Sequence, residues 1–366
     1  MLSKRYLTTA IDRRHARWSE YGNLRYLHFL DDYQSIPRGT VVFDDAIVYG
    51  YPAMGRIVAL QSGLRQQFRE PFWLEEKVNG YNVRIARVND RVLALSRGGY
   101  ICPFTTDRLP DLLDTRLFDH EPELVLCAEV AGPGNPYLES HPPFIEEDVQ
   151  LFVFDMMRCN QRELLHQSEK NRLIDHYRLP SVTRFGHFTH TDTDAIGGIV
   201  LKLNAQHREG VTFKENPPGG KRAKYVTAAS CISDIRATAA FLEELPADYF
   251  TSRILRLSLF LKEHGLATQG DPAARLGAAI LDGLADAGRL FDDTHKVYHR
   301  FRCRFRQRDN ALSFIDHLQR AGGHKVQINL HDLRQEQTYW LLEFDRIFPK
   351  TTGQFNHLLR GALLFD

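Results

Sequence analysis

The 366-residue sequence is as informative for what it lacks as for what it contains. No apolar run approaches the roughly 18 residues of a membrane-spanning helix, so we do not expect a membrane protein. The first residues carry Arg13, Arg14 and Arg17 but no apolar segment with a small-residue cleavage site, so we expect no secretory signal. Net charge is only +1 at pH 7, so a polyanion site must come from local clusters of basic residues.

Cysteine is also scarce. The five cysteines have no zinc or redox spacing, because the closest two, Cys102 and Cys127, are 25 positions apart. Such isolated cysteines are typical of a reducing compartment, so we expect a cytoplasmic protein.

The pattern of apolar residues changes along the chain and predicts an α+β protein with antiparallel sheets. We expect an N-terminal β-containing module (1–66), a β-rich domain (67–235), a helical domain (236–292) and a C-terminal α/β domain (293–366). In the second domain the predicted strands are 82–88, 92–96, 124–130, 149–155, 199–203 and 210–214, with a helix at 168–177. Beyond it we predict helices at 237–244, 251–264, 272–290, 310–321 and 354–364, and strands at 296–306, 325–331 and 339–348.

Lys77 stands at the end of an acidic, apolar strand, in the segment Glu75-Glu76-Lys77-Val78-Asn79-Gly80. A glycine turn lets backbone approach a phosphate closely. A lysine becomes a nucleophile when it is neutral, and nearby cations favour the neutral form. Alone, however, the pattern is more often a surface lysine beside a turn.

Five further segments follow Lys77, and each is a strand or strand end that presents a polar group. They are Ser96-Arg97-Gly98, Leu124 to Glu129, Leu151 to Asp155, Arg208 to Lys214 and Lys221 to Tyr225. In this order the six segments resemble motifs I, Ia, III, IIIa, IV and V of the covalent nucleotidyltransferases, which comprise ATP-dependent DNA ligases, RNA ligases and mRNA capping enzymes. The segment at 75–84 is most similar to the homodimeric, archaeal-type RNA ligases.

The resemblance implies a nucleotidyltransferase domain at 67–235 and a role for each motif residue. Lys77 would become lysyl-AMP with ATP, and Lys214 and Lys224 would be catalytic with it. Other implied roles are adenine binding by Glu75 and Phe154, ribose binding by Asn82, phosphate or RNA-end binding by Arg97, ribose or metal binding by Glu129, metal binding by Glu209, and triphosphate binding by Lys214, Arg222 and Lys224.

These residue types suit the chemistry. Fixed cations would stabilise the charge that develops on the α-phosphate and would also lower the pKa of Lys77. Carboxylates suit Mg²⁺ or Mn²⁺, which prefer oxygen ligands. Phe152 lies two residues before Phe154 and is an alternative stacking partner for adenine. Asn79 and Arg222 depart from the family pattern, which has aspartate and lysine at these places.

A second basic segment alternates strictly, with five arginines from Arg300 to Arg308 on one face of a predicted strand. This face could bind phosphates. Alternatively, it could guard an edge strand or pair with acids elsewhere.

We therefore expect an ATP-dependent RNA ligase that joins 5′-phosphate and 3′-hydroxyl RNA ends. A DNA ligase or a capping guanylyltransferase is an alternative, but those enzymes usually carry a barrel after motif V, where this chain has helices. A non-catalytic RNA-binding protein is a third, which the intact motif residues disfavour. The apolar stripes at 237–290 could form the subunit interface of a homodimer or pack within one subunit.

Overall fold

The computed structural model describes residues 2–322 and 326–363. Its helices are α1 (Lys4–Asp12), α2 (Leu60–Gln67), α3 (Pro103–Leu112), α4 (Leu117–His120), α5 (Gln167–Tyr177), α6 (Thr193–Ala205), α7 (Ala228–Thr238), α8 (Asp248–Glu263), α9 (Asp271–Thr294), α10 (Arg308–Gly322) and α11 (Pro349–Leu359), with a 3₁₀ helix at Ala239–Glu244. Its strands are β1 (Ala16–Tyr21), β2 (Leu24–Phe29), β3 (Val41–Val42), β4 (Ile47–Val48), β5 (Gly55–Arg56), β6 (Phe72–Lys77), β7 (Tyr81–Val88), β8 (Arg91–Ser96), β9 (Leu124–Ala131), β10 (Gln150–Arg158), β11 (Arg184–Phe188), β12 (Gly210–Glu215), β13 (Arg222–Val226), β14 (Tyr298–Phe305), β15 (Gln327–Glu336) and β16 (Tyr339–Ile347).

Within the described residues these strands form four sheets. The N-terminal sheet has the order β1-β2-β3-β4, and the C-terminal sheet has the order β14-β16-β15. Two central sheets, β10-β9-β7-β8 and β11-β6-β12-β13-β5, hold the motif residues. Every pairing is antiparallel except the one between β13 and β5. The predicted α+β class is therefore confirmed.

Each of the two central sheets packs against its own apolar core. One core joins β7, β9 and β10 to α3 and to the inner face of the C-terminal sheet, including Phe301 and Phe305. The other packs α2, α6, α7 and α8 against β6, β12 and β13. The second face of β7, β8 and β9 packs in part against the N-terminal sheet in a third core. The rest of that face and the second face of β6, β12 and β13 enclose a cavity.

One predicted strand is wrong. Residues 199–203 belong to α6, in which Ile196, Val200 and Leu203 are buried at a spacing of four and three residues. That spacing is one face of a helix, and it outweighs the β-branched composition that suggested a strand. The predicted helix at 168–177 agrees with α5. The one predicted at 237–244 covers the end of α7 and the 3₁₀ helix, inside which Phe241 has non-helical dihedrals.

The predicted domain boundaries remain predictions. The first predicted module contributes β5 to a central sheet and α2 to its core, so its last residues pack with the second domain. The ends of four predicted ranges, namely Met1, Lys325, Leu364 and residues 365–366, lie outside the described residues. No helix among the described residues is long and apolar enough to cross a membrane.

Candidate active site

A cavity of about 500 Å³ lies between the two central sheets. Its volume is in the range of small-molecule binding sites. The sequence-predicted residues that line it are Lys77, Asn82, Arg97, Glu129, Phe154, Lys214 and Lys224. Three others, Glu75, Glu209 and Arg222, are not part of its wall. The structure therefore brings most of the motif residues to one cavity although they are spread over 148 positions from Lys77 to Lys224.

Lys77 ends β6 at the junction of this cavity with a second pocket of about 190 Å³. The register of β6 with β12 sets it opposite Gly210, so the preceding Glu209 reaches it and accepts a hydrogen bond from Nζ at 2.7 Å. The chain then turns at Gly80, where a Cβ atom would lie 2.4 Å from the carbonyl oxygen of Val130. Glycine is required there because no side chain fits between β7 and β9.

The electrostatics of Lys77 differ from the sequence-based prediction. Burial lowers the pKa of Lys77, but Glu209 and Glu129 outweigh burial, and the net pKa is raised. The expectation that neighbouring cations would lower this pKa is therefore wrong for the free protein. The reason is that two of the predicted cations, Lys214 and Arg222, are engaged by buried acids, which leaves two carboxylates as the dominant charges near Nζ.

Glu129 and Glu209 form a donor set that fits a hard divalent cation. Burial raises the pKa of both carboxyl groups, to about 7 for Glu129, and a neighbouring carboxylate adds to the rise in each case, Glu209 for Glu129 and Asp234 for Glu209. A cation between such groups relieves their repulsion and favours the ionised forms. No cluster of three or more acidic, histidine or cysteine ligands occurs in the described part of the chain, so water or phosphate oxygens would complete the coordination.

Beneath the cavity lies a buried charge network of five residues. Glu75 accepts hydrogen bonds from Lys170 and Lys214, the latter at 2.8 Å. Asp155 lies 3.2 Å from Nζ of Lys214 and 2.7 Å from a guanidinium nitrogen of Arg222. Glu75, Lys170, Lys214 and Asp155 are almost fully buried. The predicted adenine-binding carboxylate of Glu75 is thus directed into the network, and the Lys214 ammonium is shared between the network and the cavity wall.

The network also sets the position of Phe154. Nζ of Lys214 donates to the carbonyl oxygen of Phe154 at 2.7 Å, and it lies 5.4 Å from the ring centroid. A register shift of β10 between Val153 and Asp155 breaks the strand alternation there. Phe154 lines the cavity, whereas Phe152 is outside its wall and packs edge-on against Phe144.

Two other cavity residues have unused bonding capacity. Oδ1 of Asn82 is buried without a hydrogen-bond partner among the described residues, which suits a ligand hydroxyl. Lys224 faces the cavity, and its pKa is lowered by burial and by the nearby charges of Arg56 and Lys77. A cation held near other cations gains most from binding an anion.

Asn79, two residues after Lys77, donates to Oγ of Ser140 at 3.1 Å and lines the second pocket.

Several site residues escaped the sequence analysis. Tyr51, Pro52 and Met54 line the cavity but come from the predicted N-terminal module, which has no motif. Tyr51 donates to Asp155 at 2.7 Å. Lys170 lies on α5, where nothing in the local sequence marks it. Asp155 belongs to the predicted motif segment Leu151 to Asp155, but the sequence indicates no role for its carboxylate.

The alternating arginine segment does not belong to this site. It forms β14, whose cross-strand partners on β16 are acidic: Arg300 pairs with Asp345 at 2.7 Å and Arg302 with Glu343 at 3.0 Å. Arg306 pairs with Asp111. Of the two interpretations of the sequence, the structure favours arginines paired with acids on an edge strand.

Comparison with known proteins agrees with this architecture. The family model described as RNA ligase matches residues 70–226, and the model described as "Ligase Pab1020 C-terminal region" matches residues 237–362. An uncharacterised protein of Methanocaldococcus jannaschii is 28% identical over 99% of this chain and 94% of its own length.

Solved structures match the whole chain as well. An Aquifex aeolicus protein provisionally named an ATP-dependent DNA ligase superposes with a TM-score of 0.95 at 48% identity, covering 99% of this chain and all of that one. An archaeal ATP-dependent RNA ligase superposes with a TM-score of 0.89 at 29% identity, covering 99% of this chain and 97% of that one. These matches extend through the helices and the C-terminal sheet.

Proposed function

The chain belongs to the RNA ligase family, as its motif series predicts, and from that premise we propose that it is an ATP-dependent RNA ligase with Lys77 as its nucleophile. The observation that supports this function most directly is the position of Lys77 Nζ. It lies between a cavity of nucleotide size and the carboxylates of Glu209 and Glu129. Lys214 also lines the cavity, but its two carboxylate partners belong to the buried network, whereas Lys77 also lines the second pocket.

In the first step the neutral amine of Lys77 attacks the α-phosphorus of ATP. A P–N bond forms, the bond to the bridging oxygen breaks, and pyrophosphate leaves with the electron pair. Phe154 stacks on adenine, Asn82 binds a ribose hydroxyl, and Lys224 and Arg97 face the phosphates. These assignments are supported by the cavity wall, by the unpartnered Oδ1 of Asn82 and by the exposed cations.

Lys77 must lose a proton before it attacks, yet Glu209 and Glu129 favour its ammonium form. We propose that these two carboxylates bind Mg²⁺, which when bound neutralises their charge and polarises a phosphate oxygen. With the carboxylates engaged in this way, burial dominates at Lys77 and favours the neutral amine.

The remaining steps use the same lysine as leaving group. An oxygen of the RNA 5′-phosphate attacks the AMP phosphorus, the P–N bond breaks, and Lys77 regains a proton. A 3′-hydroxyl oxygen then attacks the 5′-phosphate phosphorus, a new phosphodiester forms, and AMP leaves. We place the RNA ends in the second pocket beside Lys77, which is lined by Ser140, His207 and Arg208.

The test is to incubate the protein with α-labelled ATP or GTP and Mg²⁺ and to analyse it on a denaturing gel. We expect label from ATP in the wild type and none in Lys77→Ala. Lys221→Ala is the matched control, because this lysine is exposed and outside the cavity wall, and it should keep the label. Labelling from GTP alone, or an adduct in Lys77→Ala, would overturn the proposal.

We propose RNA as the substrate because the chain belongs to the RNA ligase family. DNA is the alternative substrate to test, because the Aquifex relative is named a DNA ligase. Adding 5′-phosphorylated RNA or DNA of equal sequence to the adenylylated protein distinguishes them. We expect label transfer and sealing with RNA at a higher rate than with DNA. The reverse order of rates would make the protein a DNA ligase.

We also propose a homodimer in the cytoplasm. Leu255 on α8 is 58% exposed and Leu281 on α9 is 68% exposed, and both helices pack against α7. Large exposed apolar side chains are typical of an interface. The five cysteines are all unpaired and buried, which fits a reducing compartment. Light scattering should give twice the chain mass, and a strictly monomeric mass would contradict the dimer.

A further inference from the structure

A separate cleft of about 710 Å³ lies apart from both the cavity and the second pocket at Lys77. Three regions that are distant in sequence form its walls: the hairpin of β1 and β2, the segment after β8, and α10. We call it the arginine–aromatic cleft and define it by Arg17, Trp18, Arg25, Arg91, Tyr100 and Arg320. None of these residues belongs to a motif of the nucleotidyltransferase domain.

The four arginines of this cleft are exposed, and within residues 2–322 and 326–363 none has a carboxylate at ion-pair distance. Their polar partners are neutral: Arg17 donates to the hydroxyl of Tyr100, Arg91 to the side chain of Asn23, and Arg320 to a backbone carbonyl. On β14, by contrast, Arg300 and Arg302 each have a carboxylate at ion-pair distance. Glu20 contributes one carboxylate to the lining, against four arginines. The cleft is therefore strongly positive, although the net charge of the protein is only +1.

Aromatic rings alternate with these cations. Trp18 is 44% exposed, and the guanidinium of Arg25 lies 4.4 Å from its ring centroid. Arg17 lies 5.7 Å from the ring of Tyr100, and Arg91 lies 5.6 Å from that of Tyr21. A groove of unpaired cations with rings between them suits a single-stranded nucleic acid, whose phosphates bind the cations and whose free base faces stack on the rings. A duplex would hide those base faces.

The cleft adjoins the cavity through one tight turn. The amide of Ser96 donates to the carbonyl oxygen of Tyr100 at 2.7 Å, and Oγ of Ser96 accepts from the amide of Tyr100 at 3.1 Å. The start of this turn, including Arg97, lines the cavity at Lys77, and its end, Tyr100, lines the cleft. A strand whose terminal phosphate lies at Arg97 can therefore continue directly into the cleft.

We propose that the arginine–aromatic cleft binds a single-stranded stretch of the RNA substrate, adjacent to the end that reacts at Lys77. The inference rests on the proposed function for the identity of the nucleic acid. It assigns to the N-terminal hairpin and to α10 a role in holding substrate. It also separates this surface from Arg300 and Arg302 of β14, which already pair with acids.

The test measures anisotropy of a fluorescent, 5′-phosphorylated single-stranded RNA against the full-length protein over a series of salt concentrations. Arg17→Gln/Arg320→Gln removes two phosphate partners, and the slope of log affinity against log salt should become shallower by about 1.4, at ~0.7 per contact on a single strand. Trp18→Ala should weaken binding by about fivefold or more, whereas Trp18→Phe, which keeps a stacking face, should retain most of the affinity.

Arg116→Gln/Arg289→Gln is the matched control, because it removes the same charge from exposed arginines that have acidic partners. Its salt slope should equal that of the wild type. All variants should form lysyl-AMP at the wild-type rate, since the altered residues lie outside the cavity, and this also verifies folding. An unchanged slope in the cleft variant, or a loss confined to duplex RNA, would overturn the proposal. Because the binding assay needs no ATP, it tests RNA binding by the cleft even if the wild type forms no lysyl-AMP.

Discussion

Asp155→Asn should destabilise the nucleotidyltransferase domain more than any surface substitution of the same kind. The carboxylate of Asp155 is buried and accepts from Tyr51 at 2.7 Å and Gln167 at 3.0 Å, besides its contacts with Lys214 and Arg222. Asparagine keeps the shape but removes the charge. The buried cations of the network then have Glu75 as their remaining carboxylate, which pairs with Lys170 and Lys214.

The expected loss of stability is about 3–5 kcal/mol, the usual cost of breaking a buried ion pair by removing one partner. If the central sheets unfold as one unit, the melting temperature should fall by about 6–20 °C. Burial alone would raise the pKa of Asp155, but Lys214 and Arg222 outweigh it and hold this pKa well below its usual range. The stabilisation is therefore present above about pH 4, the ordinary pKa of aspartate, and is lost as pH falls below it.

Differential scanning calorimetry at pH 7 and at about pH 2.5, well below the ordinary pKa of aspartate, measures both effects. The double variant Asp155→Asn/Arg222→Gln should lose less than the sum of its single changes, by about 1–3 kcal/mol, because the cation left unpaired is also removed. Asp175→Asn is the control: its ion pair with Arg184 is at the surface, with Asp175 63% exposed, and its loss should stay within about 1 kcal/mol.

The result that refutes this reasoning is a fall in melting temperature no larger than that of Asp175→Asn. Additive losses in the double variant would likewise show that Asp155 and Arg222 do not depend on each other. A loss of nucleotide binding should accompany the loss of stability, because the same network fixes Lys214 against the backbone of Phe154.

Three further predictions concern the site and its surroundings. Gly80→Ala should slow lysyl-AMP formation on the order of tenfold to a hundredfold, since its Cβ would meet the carbonyl oxygen of Val130 at 2.4 Å and displace the turn; a wild-type rate in a quench-flow assay would contradict this. Burial raises the pKa of Glu129 from 4.5 to about 7, so the folded protein holds a proton that the unfolded chain releases between these values, and stability falls as pH rises through them. Glu129→Gln should accordingly melt at a higher temperature than the wild type at pH 8 while losing metal-dependent adenylylation, and an equal or lower melting temperature would refute the assignment. Arg300→Gln/Arg302→Gln should leave the salt dependence of RNA binding unchanged, because both arginines have acidic partners, and a shallower slope would show that β14 binds phosphate.

The family and the general architecture follow from the sequence because their signals are local. Each motif is a short strand or strand end. The order of these segments can be read from the sequence without knowing how far apart they lie in the folded protein. The helices after 236 have apolar residues at helical spacing, and α8 and α9 form where that spacing predicts them. The strand predicted at 199–203 failed because a short apolar run is compatible with both periods until its burial is known.

Partnership between distant residues was decided by the tertiary structure alone. Lys170 and Glu75 are 95 positions apart, and nothing near either residue in the sequence indicates that they meet. The same holds for Tyr51 and Asp155, 104 positions apart, which bring the N-terminal residues into the cavity wall. Ionic interactions depend on distance and burial, and neither quantity is encoded locally.

Lys77 illustrates the division. The sequence by itself determined that this lysine follows a strand, precedes a glycine turn and begins a series of six motifs, which was enough to predict an RNA ligase. Only the tertiary structure decided its electrostatic state, because the downstream cations turn towards Glu75 and Asp155 while Glu209 turns towards Nζ. Residue types determine which charges are available, but the packing of the two sheets determines which of them are neighbours.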